Sequence, residues 1–177
     1  MEKLIKGCKK LNRNAQREMV NHLSPFLYSI CRRYAPSGED AKDLLQESLI
    51  LIFNNMESCS SSEALPFKSW CRRIAINNAL AKKRKKIFQT EMINEAKVPN
   101  SRHPLVHSQL NVEDILSLLQ FFPENQRIVF NLFVIDGYSH KEIGEILNIK
   151  ESSSRTFLTR ARQSLQRLLH KEEEAVK

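Results

Sequence analysis

Residues 139–170 read SHKEIGEILNIKESSSRTFLTRARQSLQRLLH, and two helices joined by a tight turn account for them. Ser139 is a capping residue with Glu142 three places on, the reciprocal pattern of a capping box. The helix it opens puts Ile143, Ile146 and Leu147 on one face. Asn148-Ile149-Lys150 then interrupts the period, and from Glu151 to about His170 a longer run carries Phe157, Leu158, Ala161, Leu165, Leu168 and Leu169 inward. A short capped helix, a three-residue turn and a longer basic helix form the helix-turn-helix arrangement, whose second helix enters the major groove of DNA by its N-terminal part. On the outer face at that end stand Ser152, Ser153, Arg155, Thr156, Thr159 and Arg160, with Ser139 and Lys141 at the same end of the first helix. Small and basic residues there let the backbone come close while hydroxyls and guanidinium groups reach phosphates and base edges. An ordinary helical hairpin explains the apolar stripe but not this cluster.

Working outward, residues 112–135 read as two more helices. Val112 to Gln120 is followed by Pro123, at the first turn of a helix over Glu124 to Ile135 that buries Ile128, Val129, Leu132 and Phe133. Asp136-Gly137-Tyr138 ends it. Before this block, Gln89 to Asn111 has two prolines, mixed polar residues and no helical period, and so reads as a connector. The expected organisation is a first domain over residues 1–88, a linker over 89–111 and a second domain over 112–177.

The chain has 177 residues, 28 Lys+Arg against 20 Asp+Glu, a net charge of +8 and 41% hydrophobic residues, enough for one domain or two small ones. No apolar stretch approaches the ~20 residues of a transmembrane helix. The opening MEKLIKGCKK lacks the apolar region and cleavage site of a signal peptide, so the expected location is cytoplasmic. Only four Gly and six Pro, among many Leu, Ile, Lys, Arg, Glu and Gln, predict an all-α chain. Cys8, Cys31, Cys59 and Cys71 form no C-x-x-C pair and read as reduced thiols. His103 and His107 have the spacing of a helical metal pair, but Pro104 between them argues against the helix; no metal and no cofactor are expected.

The charge is laid out in blocks. Residues 1–33 carry 8 basic and 2 acidic residues, 34–67 carry 1 and 6, and 68–86 carry 8 and none. Residues 87–149 carry 4 and 8, and 150–177 carry 7 and 4. Alternating blocks suggest discrete anion-facing surfaces beside surfaces that face something else.

In the first domain, DAKDLLQESLILIFNNM over 40–56 sets Ala41, Leu44, Leu45, Ser48, Leu49, Ile52, Phe53 and Met56 on one stripe, with Ser37 or Asp40 as cap. Asp43, Gln46, Glu47 and Ile50 share the other face. Spacing alone favours an ordinary solvated surface for them. Phe67 to about Lys86, FKSWCRRIAINNALAKKRKK, carries Phe67, Trp70, Cys71, Ile74, Ala75 and Asn78 on one side and its cations mostly elsewhere. Eight cations without an acid call for an anionic partner. The apolar face ends near Leu80, before the densest charge, which favours nucleic acid over a membrane surface. Trp70 has the spacing of a core residue rather than of a base-stacking one.

These motifs together resemble the extracytoplasmic-function group of the sigma-70 family, small bacterial sigma factors that keep conserved regions 2 and 4; the resemblance spans roughly residues 12–88 and 112–170. Asp40 to Leu49 (DAKDLLQESL) looks like the region 2.2 motif, which docks on the clamp helices of the polymerase β′ subunit. Phe67, Trp70, Ile74, Ala75, Asn77 and Arg84 match the region 2.4 pattern, whose helix meets the −10 promoter element. Pro123, Arg127, Leu132, Gly137, Ser139, Glu142, Ile143 and Leu147, then Leu158, Arg160, Ala161, Arg162 and Leu165, match region 4, which binds the −35 element and the β-flap tip. Departures from the pattern are Cys71 for Leu, Ala81 for Asp, Gly144 for Ala, and Ser153-Ser154 for Thr-Val, where Ser154 is expected to weaken an inward contact.

The resemblance implies a factor that gives core RNA polymerase its promoter specificity. Asp40, Asp43, Gln46, Glu47 and Ile50 would meet the polymerase, turning the ambiguous face of the 40–56 helix into a partner surface. Lys68, Arg72, Arg73, Asn77, Lys82, Arg84 and Lys85 would hold the single-stranded non-template −10 strand, with the loop Asn54 to Pro66 taking a flipped base. Ser139, Lys141, Ser152, Ser153, Arg155, Thr156, Thr159 and Arg160 would read duplex −35 DNA. Family members are often held by an anti-sigma factor, and the linker would let one clamp both domains. The chain would make and break no bond itself. The alternative is a stand-alone helix-turn-helix regulator that needs no polymerase. A nucleic-acid enzyme is disfavoured, since no clustered carboxylates, metal-ligand spacing or Gly-rich phosphate loop is present.

Overall fold

The computed structural model describes residues 1–59, 63–81, 118–119 and 121–175, with side chains as far as 167. Every regular element among the described residues is helical, as the scarcity of glycine and the helix-favouring composition imply. The chain is all-α, and it divides into two compact units, Met1–Lys82 and Lys83–Lys177. The expected linker, 89–111, lies outside the described residues, as do 82–88 and most of the expected 112–120 helix.

The first unit is built from α1 (Glu2–Lys9), α2 (Arg13–Tyr34), α3 (Gly38–Asn54), a 3-10 turn (Met56–Ser58) and α4 (Ala64–Ala81). Helix α1 turns Ile5 and Cys8 inward and is tied on its outer side by a Lys6–Glu2 pair at 2.8 Å. Leu11, at φ 56°, reverses the chain after it, and its N–H reaches the Cys8 carbonyl at 2.9 Å. The Asn12 side chain then caps α2 by accepting from the N–H groups of Asn14 and Ala15 at 3.0 and 3.1 Å.

The two helices meet so closely that a Cβ on Gly7 would stand 2.6 Å from the Ala15 Cβ, a rigid atom that cannot swing aside. Gly7→Ala is therefore expected to destabilise the chain by about 1 to 3 kcal/mol, the cost of overpacking a tight contact. Urea unfolding checks this, and an unchanged midpoint would contradict the close approach.

The core runs along α2 through Met19, Leu23, Leu27, Ile30, Cys31 and Tyr34. Against it lie Ala41 and Ile52 of α3, Met56 of the turn, and Phe67, Cys71, Ala75, Ile76, Ala79 and Leu80 of α4. Ser37, not Asp40, is the cap of α3: its Oγ accepts from the Asp40 N–H at 3.1 Å and donates to the Asp40 carboxylate. Ser48, fully buried, donates to the Leu44 carbonyl at 2.7 Å and accepts from the Asn78 amide at 3.3 Å, joining α3 to α4. Trp70 is half-buried and stacked on Phe67 at 5.8 Å, so it packs as its spacing suggested. All four cysteines are buried thiols, and none is joined in a disulfide.

In the second unit, α5 (Glu124–Phe130) continues as a π-helical turn (Asn131–Ile135), followed by α6 (His140–Leu147) and α7 (Glu151–Ala175). Leu118, Leu119, Phe122, Ile128, Val129, Leu132, Ile143, Leu147, Leu158 and Ala161 make the core. Periodicity does not foresee the buried polar members Asn125, Arg127 and Asn131. Burial pushes the Arg127 guanidinium down from its usual range, and the Glu124 carboxylate, 3.7 Å away, pulls it back. Of the expected inward stripe of α7, Leu158 and Ala161 are buried, Phe157 and Leu165 are half-buried, and the side chains of Leu168 and Leu169 lie outside the described residues.

Candidate functional site

Three outward surfaces gather most of the residues singled out above. On α3, Asp43 and Gln46 are exposed, and Ile50 is 59% exposed beside Leu51, an apolar pair at the edge of a polar face. Glu47 is half-buried, with the Asn78 amide donating to it at 3.4 Å. Asp40 is exposed but committed to the cap with Ser37. An acidic face with an aliphatic residue in it suits a partner that offers cations around an apolar spot.

On α4, Ser69, Arg73, Asn77 and Ala81 form one exposed stripe at four-residue steps. Lys68 and Arg72 are half-buried and lie over the Phe26 ring of α2, at 5.9 and 5.8 Å from its centre. Their stems cover apolar surface and their charges rest on a π face, an arrangement the sequence gives no hint of. Lys82, Arg84 and Lys85 lie outside the described residues, and so do residues 60–62 of the expected base-binding loop. Leu65, in the first turn of α4, is 80% exposed next to that loop.

The third surface is the helix-turn-helix. Ser139 caps α6 by the reciprocal box: its Oγ accepts from the Glu142 N–H at 3.3 Å, and the Glu142 carboxylate accepts from the Ser139 N–H at 2.8 Å and from its hydroxyl at 2.7 Å. These bonds stabilise the charged form of Glu142 and hold its carboxyl below the usual range. Asn148, at φ 56° and ψ 48°, ends α6 in the left-handed conformation that asparagine tolerates. The turn is tight: the Ile149 N–H donates to the Gly144 carbonyl at 3.0 Å, and the Ile149 carbonyl oxygen would lie 2.9 Å from a Cβ at 144. Gly144 is therefore not a neutral departure from alanine but a requirement of this turn. Gly144→Ala is expected to cost about 1 to 3 kcal/mol, since the turn's own backbone would have to shift. Thermal unfolding of the full chain reads this, and a variant as stable as the parent would refute it.

Along α7, Ser152, Arg155, Thr156, Thr159 and Arg160 are exposed on one face, Ser153 is half-buried, and Lys141 is exposed on α6. Arg155 is held in an ion pair with Glu151 one turn before it. The Thr156 and Thr159 hydroxyls donate to the carbonyls of Ser152 and Arg155, each at 3.0 Å, leaving their lone pairs outward. Arg160 stands at the edge of this face, one turn and more beyond the Glu151–Arg155 pair.

Ser154 corrects one expectation. It points inward, but its Oγ shares a hydrogen bond of 2.9 Å with His140 Nδ1, a buried polar partner in place of a weakened apolar contact. The two residues are fourteen apart in sequence and on different helices, so no local signal connects them. Among the described residues there is no group of His, Cys, Asp and Glu able to hold a metal, and no helix long and apolar enough to cross a membrane.

Comparison with known proteins fits this layout. Residues 19–87 match the family model for sigma-70 region 2, and residues 113–165 match that for sigma-70 region 4. The ECF RNA polymerase sigma factor SigW of Bacillus subtilis is 28% identical over 184 residues, covering 96% of each chain. The ECF RNA polymerase sigma-E factor of Escherichia coli is 25% identical over 176 residues, covering 92% of this chain and 90% of that one. Among solved structures, the sigma factor RpoE in complex with the anti-sigma factor NepR, from Bartonella quintana, superposes with a TM-score of 0.54 at 22% identity, covering 87% of this chain and 96% of that one. CnrH in complex with the cytosolic domain of CnrY gives 0.52 at 17% identity and 97% of each chain. At such identities the structures speak for the fold alone.

Proposed function

Because the chain belongs to the sigma-70 family and carries its regions 2 and 4, we propose that it is a sigma factor of the extracytoplasmic-function type, which binds core RNA polymerase and directs it to promoters. The observation that carries this reading is the order of three surfaces on one chain: an acidic face with Ile50 on α3, a basic and amide stripe on α4, and a helix-turn-helix whose outer face is hydroxyls and guanidinium groups. We assign region 2 to residues 1–88, the connector to 89–111 and region 4 to 112–177.

In this reading Asp43, Gln46, Glu47 and Ile50 meet the clamp helices of the β′ subunit, with Asp40 acting chiefly through the cap of α3. Arg73 and Asn77 face the opened −10 strand, and Lys82, Arg84 and Lys85 add phosphate contacts. Lys68 and Arg72, drawn back over Phe26, contribute field rather than direct contact. Stacking of a captured base, about 1 to 3 kcal/mol, turns transient opening into a stable bubble. Arg155, Thr156, Thr159 and Arg160, with Ser152, Ser153, Lys141 and Ser139 beside them, read the duplex −35 element. Catalysis belongs to the polymerase, and the protein works in the cytoplasm where its partners are. One structural neighbour is bound to an anti-sigma factor and the other to the cytosolic domain of CnrY; an anti-sigma factor that covers the α3 and α7 faces is the corresponding expectation for this chain.

The test is run-off transcription with core polymerase from the protein's own host on host genomic fragments. Specific transcripts absent with core alone support the reading and yield the promoter sequence. A folded protein that core does not bind would turn the reading to the stand-alone regulator.

A further inference from the structure

His140 is the first residue of α6 and is only 8% exposed; Ser154, on the first turn of α7, is fully buried. Their bond at 2.9 Å is one end of a column. The His140 ring stacks on Phe133, with centres 4.3 Å apart and planes 22° from parallel, and the Arg162 guanidinium lies over Phe133 at 5.9 Å. The column joins the π-helical turn, α6 and α7. A hydrogen bond is directional where an apolar contact tolerates sliding, so a buried polar pair fixes the rotation of one helix against another.

The neighbours of the pair give that rotation a purpose. Ser154 directly precedes Arg155, and His140 stands between Ser139 and Lys141, so the bond lies beneath the outward residues of both helices. We propose that His140 and Ser154 are a positioning pair for duplex DNA recognition, holding Arg155, Thr156, Thr159 and Arg160 in register with Lys141. The proposal rests on the DNA-binding reading of the second unit.

The charges acting on His140 all come from α7: Arg155 and Arg162 oppose its protonation, Glu151 favours it, and burial outweighs each of them. From the π-helical turn it meets Phe133, which has no charge. The ring is thus held neutral, below its ordinary pKa of 6.5. The cost of charging the buried ring is therefore absent above about pH 6.5 and sets in as pH falls through the lowered value, where the neutral pair gives way to a buried cation.

The experiment compares Ser154→Thr with Ser154→Val in the full chain. The two side chains have the same shape, so any crowding is shared and the difference isolates the hydroxyl. The probe is the −35 duplex from a promoter recovered by run-off transcription. Ser154→Val is expected to bind it about tenfold more weakly than Ser154→Thr, because His140 is left buried without its partner. Equal binding overturns the proposal. His140→Asn keeps a polar side chain that does not titrate. Its affinity, relative to its own value at pH 7.5, should stay flat as pH falls through the lowered midpoint of His140 while the parent's falls, and parallel profiles across that midpoint also overturn the proposal.

Ring NMR of the free full chain separates this role from the function it rests on. The histidine signal lost in His140→Asn should titrate below 6.5, the ordinary histidine value, and Ser154→Val should move its midpoint. An ordinary midpoint, unmoved by Ser154→Val, refutes the pair whatever the DNA result. A depressed midpoint in a protein that binds no duplex refutes the DNA-binding reading instead, and the positioning role with it.

Discussion

Asp43→Lys is expected to weaken binding to core RNA polymerase by tenfold or more, about 1.4 kcal/mol, with no change in helical content or unfolding midpoint. Asp43 is exposed on α3, and its side chain has no part in the core or in the cap at Ser37. Reversal removes one attraction and adds one repulsion near Ile50, whose 59% exposure gives the same face an apolar spot. Glu47 is a poorer probe, because its carboxylate is half-buried and receives the Asn78 amide; a lysine there would disturb the α3–α4 contact as well as the partner. The affinity can be read by competition with another sigma factor for a fixed amount of core. Parental affinity in Asp43→Lys would remove α3 from the polymerase interface.

Arg160→Ala is expected to cost about 1 to 3 kcal/mol in binding of the −35 duplex and to relax the preference at one base position, the behaviour of a lost bidentate contact. Arg155→Ala should cost less, because Arg155 is already paired with Glu151 and must share or break that pair to reach DNA. Lys141→Ala should weaken binding evenly across sequences and lower its salt dependence, as a phosphate contact does. Binding of a set of single-base variants of the duplex distinguishes these outcomes. If Arg160→Ala preserves both affinity and base preference, Arg160 does not read the element.

What the sequence made legible was what is local. The Ser139–Glu142 box, the Asn148 turn, the inward faces of α3, α4 and α6, that of α7 as far as Leu165, and the outward cluster on α7 all follow from spacings of one to four residues, and the structure holds them as expected. What stayed hidden depends on distance along the chain. Lys68 and Arg72 were legible as cations of a basic helix, but not as residues resting on Phe26, more than forty positions earlier. Ser154 read as a weakened core contact because His140 lies across a turn on another helix. Asn125, Arg127 and Asn131 are buried although an apolar period treats polar residues as outward. Gly144 carried no local sign that a carbonyl five residues on would occupy its Cβ space.

The burial of all four cysteines has a practical consequence. Desolvation holds the Cys31 thiol up at about 11 and that of Cys71 at about 12, so at neutral pH neither offers the thiolate that alkylating reagents need. Cys31 and Cys71 should thus stay silent in site-directed labelling, and Cys8 and Cys59 are shielded by their burial. A single cysteine placed at Glu18 and another at Glu145, both exposed and outside the surfaces assigned to polymerase and promoter, would accept a donor and an acceptor dye. Energy transfer between them would then follow the separation of the two units as the protein passes from solution to polymerase to promoter.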